Sequence, residues 1–361
     1  MRWKTLLANG VAAILLTAVP ANAAVTLTLP TPTGRYQVGT TSLHLVDQGR
    51  ADPWKPDRRR ELMVSVWYPV RDASRYPLAH WATPGLVPYL ENLGLGIPPG
   101  TVDWTSATTS AHVDAPALDR FPVVLYSPGY GAPRSSATVQ AQDLASHGYT
   151  VVTVDPTYET VVEFPDRVEQ PVPQDTPTAS QTSLDARVGD VRSVLSALAA
   201  HCDADGRPIP PMDLRQVGMF GHSRGGFAAG EAMYHDRRII AGINLDGGMS
   251  TNGDPYTPGE VTRHGLDRPF LLMGNAAINH SHTNPSSDRS WAEFWAVQRS
   301  WKGDVQLADS DHYSFTDLEV ILPQLGLPDA VLAQVIGTGD PGISVRTQTT
   351  TIRRFFDRFL R

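Results

Sequence analysis

The chain is poor in cysteine, with a single thiol, Cys202, in 361 residues. No internal disulfide can form, so the fold must rest on buried apolar surface, which a chain of this length can supply. It has no excess of basic charge. The 37 acidic side chains outnumber 30 basic ones, giving a formal net charge of −7, so nucleic acid is not an expected partner. The run Arg58-Arg59-Arg60 reads as a solvated loop before a strand. No apolar run is long enough to span a membrane. The apolar core Val11 to Val19 stands behind Arg2 and Lys4 and ahead of Ala21-Asn22-Ala23. That is the pattern of a secretory signal peptide over residues 1–23, with release from the cell and Ala24 as the expected first residue. No twin arginine precedes this core, and no cysteine follows the cleavage site, as a lipid anchor would need. Internal repeats and an inter-domain linker are also missing, so residues 24–361 are expected to form one domain.

What the chain has is Val217-Gly218-Met219-Phe220-Gly221-His222-Ser223-Arg224-Gly225-Gly226, followed by the helix-forming Phe227 to Met233. An apolar run, a Gly-x-Ser-x-Gly and a helix read as strand, sharp turn, helix. That context makes Ser223 a candidate nucleophile. The turn must strain its central residue to lift the hydroxyl clear. Gly221 and Gly225 are needed because any side chain there would meet the neighbouring strand or helix. The helix that follows aims its N-terminal amides at the reacting centre.

The flanking pattern is that of a parallel sheet. Gln37 to Asp47 and Glu61 to Tyr68 alternate like strands and suggest an antiparallel hairpin at one sheet edge. Pro77 to Pro116 is a long, weakly periodic insertion, either a lid or wall of a binding site or a decorated surface loop. Phe121 to Tyr126, Tyr149 to Val154, Ile239 to Leu245 and Pro269 to Met273 are apolar runs expected of buried parallel strands, and Val305 to Leu307 is strand-like. Helices are expected over Ser135 to His147, over the Leu184–Leu198 repeat with Thr182 or Ser183 as cap, and over Trp291 to Trp301 and Ile352 to Leu360. The expected class is α/β: a mostly parallel, doubly wound sheet with an N-terminal antiparallel hairpin and a lid-like insertion about 77–116.

A serine hydroxyl needs a base within hydrogen-bond reach, and the base needs an orienting carboxylate. In a nucleophile-elbow fold these follow in the order Ser, acid, His. The first loop after the elbow unit carries Asp246, while the next strand ends at Gly274-Asn275 without a carboxylate, so Asp246 is the expected acid. Its rivals are Asp267, which precedes a strand, and Asp288, well beyond a strand end. His312, in a polar loop after Val305 to Leu307, is the expected base, with His264, His280 and His282 as rivals. His280-x-His282 lacks a carboxylate or cysteine at metal-like spacing and reads as a solvated or pocket-rim loop. His222 is expected to point away from its neighbour, and His147 and His235 sit near helix ends. Two backbone amides suit an oxyanion, those of Arg224 and of Tyr130 in Gly129-Tyr130-Gly131.

The chain resembles the secreted platelet-activating-factor acetylhydrolase (lipoprotein-associated phospholipase A2) family of α/β-hydrolases, and its bacterial homologues in particular. The resemblance rests on Ser127-Pro128-Gly129-Tyr130-Gly131 with Asp143 to Tyr149, on Gly221-His222-Ser223-Arg224-Gly225-Gly226, on Leu245-Asp246-Gly247, and on His312 to Asp317. It covers most of the chain from about Thr40. The sequence departs from the family at Pro128, where a His usually precedes the oxyanion glycine.

The resemblance implies a calcium-independent serine esterase favouring short or oxidised acyl chains, with no metal or organic cofactor. Its substrate would be a small-molecule ester or a phospholipid, and no obligate protein partner is evident. A general short-chain esterase or cutinase-like polyester hydrolase is the alternative, and an inactive hydrolase-fold binding protein a third reading. Trp81, Leu86, Val87 and Leu90 could make transient contact with a lipid interface or pack into a core or pocket.

Overall fold

The computed structural model describes residues 24–174, 176 and 178–361; the expected leader lies outside the described residues. Ten strands build the main sheet. In chain order they are β1 Gln37–Ala51, β2 Arg59–Val70, β3 Leu78–His80, β4 Thr108–Val113, β5 Pro122–Ser127, β6 Thr150–Val154, β7 Asp213–His222, β8 Ile239–Leu245, β9 Phe270–Asn275 and β10 Lys302–Leu307. Across the sheet they lie in the order β10-β9-β8-β7-β5-β6-β2-β1-β4-β3. From β10 to β6 every pairing is parallel. Beyond β6 come antiparallel β2, antiparallel β1, then β4 parallel to β1 and β3 antiparallel to β4.

The parallel strands are apolar on both faces because both faces are covered. Val123 and Leu125 of β5 and Met219 of β7 point to one core. Their neighbours Val124, Tyr126 and Phe220 point to the other. The first core is closed by α2 (Ala179–Ala197), α3 (Arg224–His235) and α4 (Arg289–Val297), through Leu184, Val191, Phe227, Met233, Trp291 and Phe294. The second is closed by α1 (Thr138–Ser146) and α5 (Pro341–Phe359), through Ala141, Leu144, Ile352, Phe355 and Phe356.

The chain leaves β5 through α1 to β6 on one side, then returns through α2 to β7 on the other side of β5. This reversal opens a crevice at the carboxyl ends of β5 and β7, where α/β sheets bind their ligands.

Several expectations are corrected. The hairpin β1–β2 is not at the edge, because the insertion adds β4 and β3 outside it. Between those strands the insertion forms a small core of its own, with Trp81, Leu86, Leu90, Val102 and Trp104 buried against Leu27 and Ile321. Trp81, Leu86 and Leu90 thus pack inward, and Val87 is half-buried against them. Arg60 is not solvated but fully buried, pairing with Asp52 at 2.8 Å and Asp190 at 2.7 Å. Helix α2 begins after Thr178, without a side-chain cap bond, rather than at Thr182 or Ser183. Helix α4 stops at Val297, and α5 starts eleven residues earlier than its apolar stripe suggests, at Pro341, because Asp340 caps it by accepting from the Ile343 amide.

Candidate active site

Ser223 follows the last residue of β7 and caps α3. Its φ of 53° and ψ of −121° are disfavoured for an L-residue. The surroundings enforce them. A Cβ on Gly221 would lie 2.1 Å from the Gly225 carbonyl oxygen, and one on Gly225 would lie 1.9 Å from the Ser127 carbonyl oxygen. The two glycines therefore let strand, helix and the loop after β5 close on one another.

Asp246 follows β8 and is 3% exposed. Its carboxylate accepts four hydrogen bonds, two on each oxygen. Oδ2 receives His312 Nδ1 at 2.6 Å and Asn275 Nδ2 at 2.7 Å. Oδ1 receives His280 Nδ1 at 2.7 Å and the Asn275 amide at 2.9 Å. Burial works against ionisation here, but the bonds from His280 and His312 outweigh it and hold the carboxyl well below the usual range.

His312 opens a short helical turn after β10, capped by Asp311 in a reciprocal bond with Ser314. His222 lies beneath it. Its ring sits 4.6 Å from the His312 ring, and its Nε2 donates to the His312 carbonyl at 2.9 Å. Burial, then repulsion from His312, pushes His222 down to about 3, so it stays neutral with the proton on Nε2. His222, expected to point away from its neighbour, bonds the backbone carbonyl of the candidate base.

The loop Ser127 to Gly131 lies against the elbow. A Cβ on Gly129 would sit 3.5 Å from Ser223 Cβ. Tyr130, next in that loop, is 52% exposed. Arg187 of α2 holds the loop from below, donating to Ser127 Oγ at 3.0 Å, to the Pro128 carbonyl at 2.5 Å and to the Gly129 carbonyl at 3.2 Å. The Arg224 guanidinium is bound to the Ser180 carbonyl and hydroxyl, so Arg224 faces the site with its backbone alone.

The structure thus places Tyr130, Ser223, Arg224, Asp246 and His312 beyond the carboxyl ends of β5, β7, β8 and β10. The rivals lie elsewhere or serve otherwise. Asp267 is an exposed partner of Arg237, His264 pairs with Glu260, and His282 bonds Asp304. Asp288 caps α4 and bonds His280. Of the two loop readings of His280, solvated or pocket-rim, the solvated one is corrected: the ring is buried and stacked on Trp291 at 3.8 Å.

Asn275 and Arg187 escaped sequence reasoning, which weighs His280 as a rival base rather than as a partner of Asp246. For Asn275 a signal existed, since the strand end that lacked a carboxylate ends on the residue that holds one. Tyr130, Tyr313 and Ile278 are exposed and follow the ends of β5, β10 and β9. Among the described residues no His, Cys, Asp and Glu group is arranged to hold a metal ion, and no helix is long and apolar enough to cross a membrane. A hydroxyl on a strained turn, an imidazole tied to a buried carboxylate and amides at a helix start together suit acyl transfer.

No protein-family profile matches the chain. Over 353 residues it is 28% identical to a probable 1-alkyl-2-acetylglycerophosphocholine esterase of Arthroderma benhamiae, covering 89% of this chain and 84% of the relative. Over 262 residues it is 24% identical to platelet-activating factor acetylhydrolase of Bos taurus, covering 63% of this chain and 56% of that protein. The solved ferulic acid esterase from Streptomyces cinnamoneus superposes with a TM-score of 0.77 at 32% identity, covering 92% of this chain and 93% of the other.

Proposed function

The chain belongs to the platelet-activating-factor acetylhydrolase-like family of α/β-hydrolases and is an ester hydrolase, and we propose that it works through an acyl-enzyme on Ser223. His312 takes the Ser223 proton as the oxygen attacks the ester carbonyl, and Asp246 orients the imidazole and stabilises its charge. The Tyr130 and Arg224 amides hold the oxyanion, where loss of one donor typically costs about 3 kcal/mol. The intermediate collapses, the alcohol leaves with the proton from His312, and water activated by the same base releases the acid and restores Ser223.

The observation that carries this reading is the 2.6 Å bond from His312 Nδ1 to Asp246 beside a strained serine turn. Ser223→Ala should abolish turnover of p-nitrophenyl acetate and butyrate and labelling by a fluorophosphonate. Retained turnover sinks the proposal.

For substrate we propose short acyl groups, of the kind the acetylhydrolase relatives are named for. The exposed Tyr130 and Tyr313 favour a second reading, an aromatic acyl group, in keeping with the ferulic acid esterase neighbour. Tyr89 of the insertion lies within electrostatic reach of Tyr313, its phenol pushed up by burial and by Tyr313. A panel of p-nitrophenyl esters, an acetylated phospholipid, methyl ferulate and polyester film separates these. Highest kcat/KM on methyl ferulate would favour the aromatic reading; preference for film would favour a polyester hydrolase. Residues 1–23 lead us to propose export, with Ala24 as the N-terminus found by sequencing the protein from the medium; an intact Met1 there overturns it.

A further inference from the structure

We propose that His280 is a positioning residue of the same reaction: a buried cation that grips Asp246 from the side opposite His312 and offsets its charge. The proposal rests on the Ser223–His312–Asp246 reading. His280 Nδ1 meets Asp246 Oδ1 at 2.7 Å, and Nε2 meets Asp288 Oδ2 at 3.2 Å. Carboxylate oxygens only accept, so both ring nitrogens must carry protons, which makes the ring an imidazolium. Its stacking on Trp291 suits a positive charge. The backbone shapes the site to it, because a Cβ on Gly274 would lie 1.9 Å from the His280 carbonyl oxygen.

The charged groups facing His280 come from different elements. Asp246 follows β8, Asp288 caps α4, and His312 with Asp311 stands beyond Asp246 after β10. His222, under His312, is neutral. The nearby Asp304 is engaged by His282. Burial opposes the His280 charge, but the bonds to Asp246 and Asp288 outweigh it and lift the group to about 9, so it stays charged across the neutral range.

A triad carboxylate facing its base with full charge would make that base easier to protonate. With His280 charged on the far oxygen, His312 faces a carboxylate already partly neutralised, so it stays free to accept the serine proton at lower pH.

The test measures kcat/KM with p-nitrophenyl butyrate between pH 5 and 10. His280→Asn keeps a donor to Asp246 without the charge. Its acid limb should move up by about half to one pH unit, with labelling of Ser223 intact. Asp288→Asn keeps the cap of α4 but lowers the proton affinity of His280, and should move the limb the same way by less. A merely structural His280 would alter the melting midpoint and leave the limb in place. An unmoved limb in folded, labelled variants overturns the proposal. So does a neutral His280 ring in histidine-selective nitrogen NMR of the parent at pH 7.5, a readout that needs no variant. A parent that a fluorophosphonate fails to label sinks the triad reading instead.

Discussion

Arg187 and Glu159 form an ion pair at 2.9 Å, with neither side chain more than 2% exposed. The same guanidinium carries the carbonyls of Pro128 and Gly129, the backbone on which the Tyr130 amide depends. Removing the cation alone leaves a buried, unpaired carboxylate, at a cost of about 3–5 kcal/mol in stability. The double variant Arg187→Met/Glu159→Gln avoids that loss. It should fold and lose about tenfold to a hundredfold in kcat with KM little changed, because the loosened loop serves the transition state rather than substrate binding. Steady-state kinetics on p-nitrophenyl butyrate check this, and an unchanged kcat would refute it.

The turn that carries Asp246 touches the elbow directly. A Cβ on Gly247 would lie 2.1 Å from the Ser223 carbonyl oxygen and 2.7 Å from Asn244 Oδ1. Asn244 is itself bonded to the Gly247 amide and carbonyl, so neither neighbour can give way. Gly247→Ala should cost more than about 3 kcal/mol and abolish fluorophosphonate labelling. Gly326→Ala is the comparison: its φ of 64° is strained for alanine, but nothing lies within 4 Å, so about 1 kcal/mol is expected. Denaturant titration of both variants decides; equal losses would remove the steric argument.

Glu231 of α3 is raised to about 7 by burial, against the pull of the Val261 amide that donates to Oε1 at 2.8 Å. The unfolded chain releases this proton near the ordinary glutamate range, whereas the folded chain holds it until about 7. Below both values Glu231 has no effect on stability. As pH rises between them, the unfolded state gains by ionising first, and the penalty levels off above 7, at up to about 3 kcal/mol. Glu231→Gln keeps the acceptor and removes the ionisation. Its melting midpoint should match the parent near pH 4 and exceed it increasingly up to pH 8. A constant difference across that range would count against the burial argument.

The fold was legible where local chemistry is self-contained. Val123 to Tyr126 and Met219-Phe220 read as buried strands because both of their faces are apolar. The glycines of the elbow announced its crowding. Asp246 could be picked by eliminating Asn275, because strand ends of one sheet edge are interchangeable positions in the chain pattern. What stayed hidden were pairings set by distance in sequence. Arg60 looked solvated because Asp190, one of its two partners, lies 130 residues away. His280 looked like a loop residue because Asp246, Asp288 and Trp291 surround it only after β8, β9 and α4 have met. The placement of β4 and β3 outside the hairpin depends on register with β1, which no periodicity in residues 77–116 encodes.

Asp317, five residues beyond His312, accepts from the Trp81 indole at 2.8 Å and from the amides of Thr138 and Val139 at 3.0 Å each. One carboxylate therefore joins segments that leave the ribosome at widely separated moments. Until the last of them emerges, the indole and the opening turn of α1 have no acceptor, and the imidazole of residue 312 has only just been made. Completion of the cleft is thus a late event in biogenesis, and on the proposed mechanism a nascent chain stalled before that point would carry its hydroxyl without its base.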